Sequence, residues 1–295
     1  MRADVHTHMW SGSGVPEFLR RYAASRGGES SVESGTERLL ASMDATGIEI
    51  AVAVALVPTP DLDDSAVEAI NRYVTTQTAL APERLLPFCA VNPRSPDPVA
   101  TLRREIEEFG ARGLKLHGAM QAINVDDRLL WPIYQTMQDR GLPVLFHSGD
   151  IGVLPTKDRY TQASRFDEIA CDFPELPMVL GHAGRVDFTT VAGLLRKHPH
   201  VYLDISSVIG RDRASRTYPM RRLLEIVKSW AGTTDNVLFG SDFPLYSQEV
   251  TLAVLNELAE QLEMPAAPPS PVTVDDIAAV RDTNAAKFLA DCNLI

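Results

Sequence analysis

Met1-Arg2-Ala3-Asp4-Val5-His6-Thr7-His8-Met9-Trp10 opens the chain as an extended run that ends in two histidines one residue apart. Successive side chains of a strand point to opposite faces, so His6 and His8 share one face while Val5 and Thr7 share the other. Two imidazoles held side by side make half of a metal site, because neutral imidazole is a favoured ligand for zinc and other divalent cations. The same stretch bears on the fold. An open doubly wound sheet would place a Gly-rich phosphate-binding turn after an early strand, and this strand runs into His6-Thr7-His8 instead.

Beyond it, Ser11 to Gly35 is polar and basic, with Arg20, Arg21 and Arg26, and reads as a long loop holding one short helix. Thr36 is placed to cap a helix carrying Leu39, Leu40 and Met43 at helical spacing, with Gly47 as its stop. Ile48 to Leu56 is a nearly continuous apolar strand, as expected where both faces of a parallel sheet are covered. The unit then recurs. Helices are expected over Asp63–Ala81, Asp97–Phe109, Asp127–Arg140, Ala163–Cys171, Phe188–Lys197, Tyr218–Trp230, Val250–Gln261 and Asp275–Leu289. Strands are expected over Arg84–Val91, Gly113–His117, Pro143–His147, Met178–His182, Val201–Ile205 and Asn236–Asp242. Eight strands alternating with helices, none joined by a tight hairpin, predict an α/β fold closed as a (β/α)8 TIM barrel, one domain over residues 1–295. The Pro-rich segment Pro265 to Pro271 reads as a linker to the last helices.

A chain of 295 residues suits one such barrel, which typically needs about 250. The net charge of −11 argues against a nucleic-acid or anionic-membrane surface, since both need clustered positive charge. Cys89, Cys171 and Cys292 have no ligand-like spacing and no even count, so a disulfide framework is not expected. With no apolar run of membrane-spanning length and no room for a signal peptide before the first strand, a cytoplasmic location is expected.

Barrel enzymes gather their chemistry at the carboxyl ends of the strands. There stand His6 and His8 on the first strand, Lys115 and His117 on the fourth, His147 on the fifth, His182 on the sixth and Asp242 on the eighth. Five of the seven histidines therefore fall at strand ends, while His198 and His200 lie at the wrong ends of their elements and read as structural or solvent-facing. Asp4-x-His6-x-His8, Gly113-x-Lys115-Leu116-His117, Leu142 to Gly149, Gly181-His182-Ala183-Gly184 and Gly240-Ser241-Asp242-Phe243-Pro244 together resemble the amidohydrolase superfamily, along essentially the whole chain and in order. The branch they resemble is the amidohydrolase-related group of metal-dependent hydrolases and decarboxylases, whose last helix is similar to Asn284-Ala285-Ala286-Lys287-Phe288-Leu289.

The resemblance implies one divalent metal ion, zinc or alternatively manganese, bound by His6, His8, His147 and Asp242, with His182 beside it as a polarising or proton-handling group. In some members of the superfamily a lysine on the fourth strand is carbamylated and bridges two metals. The single-metal reading is preferred here, with Lys115 an unmodified cation and His117 a substrate contact or a support for one. Three nitrogens and a carboxylate with an open position can lower the pKa of bound water to about 7. The leading expectation is therefore hydrolysis of an amide, ester or lactone, with Asp242 moving the proton and with Arg185, Arg20 and Arg21 as candidates to hold a substrate carboxylate. The alternative is non-oxidative decarboxylation of an unsaturated or aromatic acid. A third reading is a non-catalytic barrel with a degenerate metal site. The expected partner is a small molecule; a homo-oligomer is compatible with the sequence.

Overall fold

The computed structural model describes residues 1–11, 15, 20–21, 33–150, 154, 156–265 and 268–295. Most of the stretch read as a long loop with one short helix after Trp10 lies outside the described residues. Eight strands form one parallel sheet in strict sequence order: β1 (Ala3–His8), β2 (Ile50–Val54), β3 (Leu85–Cys89), β4 (Gly113–Leu116), β5 (Val144–His147), β6 (Met178–Gly181), β7 (Val201–Asp204) and β8 (Val237–Leu238). The helices between them are α1 (Thr36–Thr46), α2 (Asp64–Thr78), α3 (Pro98–Glu107), α4 (Trp131–Asp139), α5 (Phe166–Asp172), α6 (Phe188–Lys197), α7 (Tyr218–Ala231) and α8 (Gln248–Glu263), followed by α9 (Val274–Asp282) and α10 (Asn284–Asp291). The expected (β/α)8 barrel is what the chain forms. No helix among the described residues is long and apolar enough to cross a membrane.

The barrel closes between β8 and β1. Val5 donates its N–H to the Phe239 carbonyl at 3.1 Å, Asp242 to the His6 carbonyl at 2.8 Å and His8 to the Phe243 carbonyl at 2.7 Å. A buried carboxylate reinforces this seam. Asp4 accepts from the Ser241 N–H at 3.1 Å and hydroxyl at 2.6 Å, from Gln248 Nε2 at 2.9 Å and from its own strand's His6 N–H at 3.0 Å. Burial pushes the Asp4 carboxyl up to about 6, while these hydrogen bonds pull it down part of the way. On the other side of β1 the register with β2 slips: Asp4 faces Ala51 but Thr7 faces Ala53, leaving one extra residue on β1. Such a bulge bends a strand and re-aims side chains, and here it falls at Val5 and His6.

Local chemistry explains the elements and three departures from expectation. Gly47 ends α1 at φ 68°, a left-handed conformation that costs glycine least. Thr36 does not cap α1: it is the first helical residue, its hydroxyl turns to the Gln77 carbonyl at 2.6 Å, and Gln77 Oε1 accepts the Thr36 N–H at 2.8 Å. The expected Asn236–Asp242 strand is ordered as strand only over two residues, because the chain after Leu238 bends to pair with β1 at the seam. The expected last helix is two, broken at Thr283, whose φ of −130° leaves the helix. The break turns buried Asn284 toward the barrel, where its Nδ2 donates to the Thr234 and Val237 carbonyls, each at 3.0 Å.

Because replacing Asn284 leaves two buried carbonyls without a donor, Asn284→Ala is expected to lower unfolding free energy by about 2–4 kcal/mol in denaturant titrations. An unchanged midpoint would show that the α9–α10 break is not what anchors the end of the chain to β8.

Candidate active site

Every sequence-predicted strand-end residue lies at the carboxyl-terminal mouth of the barrel, and His6, His8, Lys115, His117, His147, His182 and Asp242 are all buried there. β1 delivers His6 and His8, whose ring centroids are 5.2 Å apart. Asp242 reaches them from the turn after β8, its Oδ1 at 3.2 Å from His8 Nε2 and 3.9 Å from His6 Nε2. His182, just past β6, has its ring 4.9 Å from that of His6. Atoms able to bind a cation lie within 4.8 Å of one another in His6, His182 and Asp242. His147 stands one ring further out, 4.7 Å from His182, and stacks on His117 with centroids 4.1 Å apart. Arg185 is half-buried beside the mouth, where its charge acts on His147 and His182 and its Nη1 donates to the Asp150 carbonyl at 3.3 Å. Arg20 contacts the Val15 carbonyl at 3.4 Å.

Two residues that the strand-end reading passed over organise this group. Asp204, the last residue of β7, is fully buried and takes His6 Nδ1 on its Oδ2 at 2.9 Å. Its Oδ1 accepts from the His182 N–H at 3.1 Å, the Ser206 N–H at 2.9 Å and the Ser206 hydroxyl. Ser206 Oγ in turn lies 2.8 Å from His182 Nδ1. With Nδ1–H of His6 directed to Asp204 and Nδ1–H of His182 to Ser206, both rings keep their Nε2 lone pairs for the centre of the site. A carboxylate behind a histidine in this way fixes tautomer and orientation at metal centres. Burial alone would push Asp204 upward, yet the electrostatic pull and hydrogen bond of His6, with His182 and Ser206, hold it well below the usual carboxylate range. Asp204 could have been found as an acid at the carboxyl end of a strand; the sequence carries no comparable signal for Ser206.

Space around Asp204 is kept by glycine. A Cβ on Gly181 would stand 2.6 Å from the Phe146 carbonyl, 3.2 Å from His6 Cε1 and 3.3 Å from Asp204 Oδ2, and one on Gly240 would meet Asp204 Cβ at 3.0 Å. Backbone strain gathers at the same place. His182, Ala183, Ser207 and Asp242 have φ of 62°, 50°, 61° and 66°, left-handed values that non-glycine residues adopt at a cost.

The electrostatics are those of a buried, mixed-charge centre. Asp242, which also accepts the Ser207 hydroxyl at 2.9 Å, is pushed upward by burial but held well below the carboxylate range by its His8 hydrogen bond and the electrostatic pull of His182, His6 and His8. Burial pushes His8 down to about 4 and holds His117, His147 and His182 well below the usual histidine value. Lys115 is 2% exposed, with Nζ 2.9 Å from His6 Nε2, and burial brings it down to about 8 while Asp204 and Asp242 favour its charge. The residues fit a divalent cation. His8, His147 and His182, kept neutral by burial, face an ionised carboxylate, and the buried ring nitrogens His8 Nδ1 and His147 Nε2 have no hydrogen-bond partner among the described residues. The second group of donors, Asp167, Cys171 and His198, is different. Lys197 Nζ bonds Asp167 at 2.7 Å, and His198 Nε2 bonds the same carboxylate at 2.8 Å.

No curated protein matches the sequence. Among solved structures, the chain is similar to an uncharacterised TIM-barrel protein from Bordetella bronchiseptica, with 20% identity, 99% of each chain covered and a TM-score of 0.71. It is similar to a dihydroxybenzoic acid decarboxylase from a Polaromonas species, with bound manganese and the inhibitor 2-nitroresorcinol, at 18% identity over 98% of this chain and 96% of that one, TM-score 0.69. A 5-carboxyvanillate decarboxylase from Novosphingobium aromaticivorans, with bound manganese and 3-methoxy-4-hydroxy-5-nitrobenzoic acid, has 17% identity over 98% and 97% of the two chains and a TM-score of 0.68. At these identities the likeness establishes the barrel. The profile of the amidohydrolase family matches residues 3–290, nearly the whole chain, and with the histidines, lysine and aspartate gathered at one barrel mouth the protein belongs to the amidohydrolase family.

Proposed function

We propose that this protein is a metal-dependent decarboxylase that removes the carboxyl group of an unsaturated or aromatic carboxylic acid without redox chemistry. The observation that carries this reading is Lys115: a lysine ammonium buried beside His6 and within the field of Asp204 and Asp242, offering fixed positive charge where a substrate carboxylate can enter. Decarboxylation always brings a carboxylate to pair with that charge, whereas hydrolysis of an ester or amide need not, so the order of the two reactions expected from the sequence is reversed. The manganese-containing decarboxylases of the same fold support the reversal and favour manganese over the zinc first expected.

The set His6, His8, His147 and Asp242 is the one we assign to a single divalent cation, which when bound supplies Lewis-acid charge to the substrate oxygens. Lys115 binds and orients the carboxylate. His117, whose Nδ1 accepts the Met120 N–H at 3.3 Å, presents its Nε2–H as a further donor to the substrate. His182, neutral with its Nδ1–H on Ser206, takes up a solvent proton at Nε2 and delivers it to the carbon that bears the carboxyl group, while Ser206 and Asp204 behind Nδ1 stabilise the transient imidazolium. The carbon–carboxyl bond then breaks, its electron pair restores the π system of the ring or alkene, and carbon dioxide leaves. The balance is one carboxylate and one proton in, one C–H product and one carbon dioxide out. Arg185 is positioned to attract the acid to the mouth.

Manganese-loaded protein is expected to release one equivalent of carbon dioxide from members of a panel of hydroxybenzoic and unsaturated acids, and in D2O to leave one deuterium on the vacated carbon. Cleavage of esters or lactones without carbon dioxide would restore the hydrolase reading; a metal-loaded protein inert toward both panels would point to a non-catalytic barrel. Lys115→Met is expected to raise KM for the acid about 10- to 100-fold with metal content unchanged, the equivalent of one charged hydrogen bond. In the wild type KM is expected to climb as pH rises through about 8, where Lys115 loses its proton, and that climb disappears in the variant. Asp204→Ala, which takes the acceptor from His6 Nδ1, is expected to weaken metal binding about 10- to 100-fold in chelator competition.

A further inference from the structure

A chamber of about 890 Å³ opens beside the metal end of the barrel, walled by the connections after β1, β2 and β4, by residues 156–160 and by one face of α2. It meets the site at two points. Trp10, part of its wall, stacks on His8 with ring centroids 4.6 Å apart, and Met120, another part, donates its N–H to His117. Trp10, Val15, Leu56 and Met120, joined by Leu245, make an apolar cluster separate from the main core. The wall is preformed: Trp10 and Ser34 exchange backbone hydrogen bonds at 2.9 and 3.0 Å, and Tyr73, from α2, bonds the Ser34 carbonyl at 3.3 Å.

Every buried residue of the lining is apolar, while the charged ones, Asp61 and Lys157, are exposed at the rim. Such a chamber rewards apolar surface and offers its interior no charge to pair. Ligand pockets range over about 300–1,000 Å³, and this one is near the top, far more than one hydroxylated ring requires. We infer that the substrate is a carboxylic acid with an extended apolar body, an alkyl or second aryl group that lies along Trp10 toward Leu56 and the Ala66–Ala69–Ile70 face of α2 while the carboxyl end meets Lys115 and His117. The carboxyl end of this inference rests on the decarboxylase reading; the apolar chamber does not.

The test is a binding series on the full manganese-loaded chain, with benzoate and 4-n-alkylbenzoates from methyl to heptyl as probes, read by calorimetry. Kd is expected to fall about two- to fourfold per methylene until the chamber is filled. Ala69 is exposed on the α2 wall, so Ala69→Trp narrows the chamber without disturbing the core, and it is expected to flatten the dependence on chain length beyond the first few methylenes. A Kd independent of chain length in the wild type, or a slope unaffected by Ala69→Trp, overturns the inference. The two readings fail separately. Carbon dioxide from hydroxybenzoates with a flat series removes the apolar body and keeps decarboxylation, whereas a steep series with no carbon dioxide from any acid removes decarboxylation and keeps the chamber.

Discussion

The carboxylate of Asp4 holds the barrel shut, and the position of the chemistry follows from that closure. It is buried at the β1–β8 seam with donors from Ser241, Gln248 and the His6 N–H around it. A buried carboxylate is costly unless it is fully satisfied, so a competing arrangement of the seam would leave it stranded. The seam is also where His6 and His8 on one side face Asp242 on the other. One register therefore sets both the closure of the fold and the geometry of the site. The bulge in β1 lets the strand keep its bonds to β2 while His6 turns toward Asp204.

Behind the histidines, Asp204 does for orientation what Asp4 does for closure. It ties together β1, the turn after β6 and the turn after β7 through His6, His182 and Ser206. The site then has two buried carboxylates of different duty. Asp242 faces the centre, and Asp204 sits behind it, held ionised by the rings it orients. Lys115 enters the field of both from β4 and offsets part of their charge, which explains how a lysine can persist at 2% exposure.

Much of this was legible in the sequence because it rests on periodicity and on side chains rare enough to stand out. The alternation of strand and helix carried the barrel, and five histidines at strand ends marked the mouth. Asp204 escaped because, although it is an acid at the carboxyl end of a strand, one aspartate among 39 acids stands out less than a histidine, and only the closed barrel brings it against His6. The break at Thr283 was invisible because apolar spacing continues through it; the cause is a side-chain amide reaching carbonyls about 50 residues away. Hydrolysis and decarboxylation use the same ligand types, so residue identities alone could not order them. The apolar chamber was out of reach for another reason, since its walls come from stretches of chain that only the closed barrel brings together.

The glycines around Asp204 carry a consequence for how such a protein can diverge. At Gly181 and Gly240 even a methyl group would intrude on the pair of His6 and Asp204 or on the strand beside it. The buried lining of the chamber, by contrast, is built of apolar side chains on connections, where one can be exchanged for another of similar volume. The molecule thus separates a small region of sequence space that is closed, behind the histidines, from a larger one that is open, around the chamber. New substrates can be explored through the second while the first stays fixed.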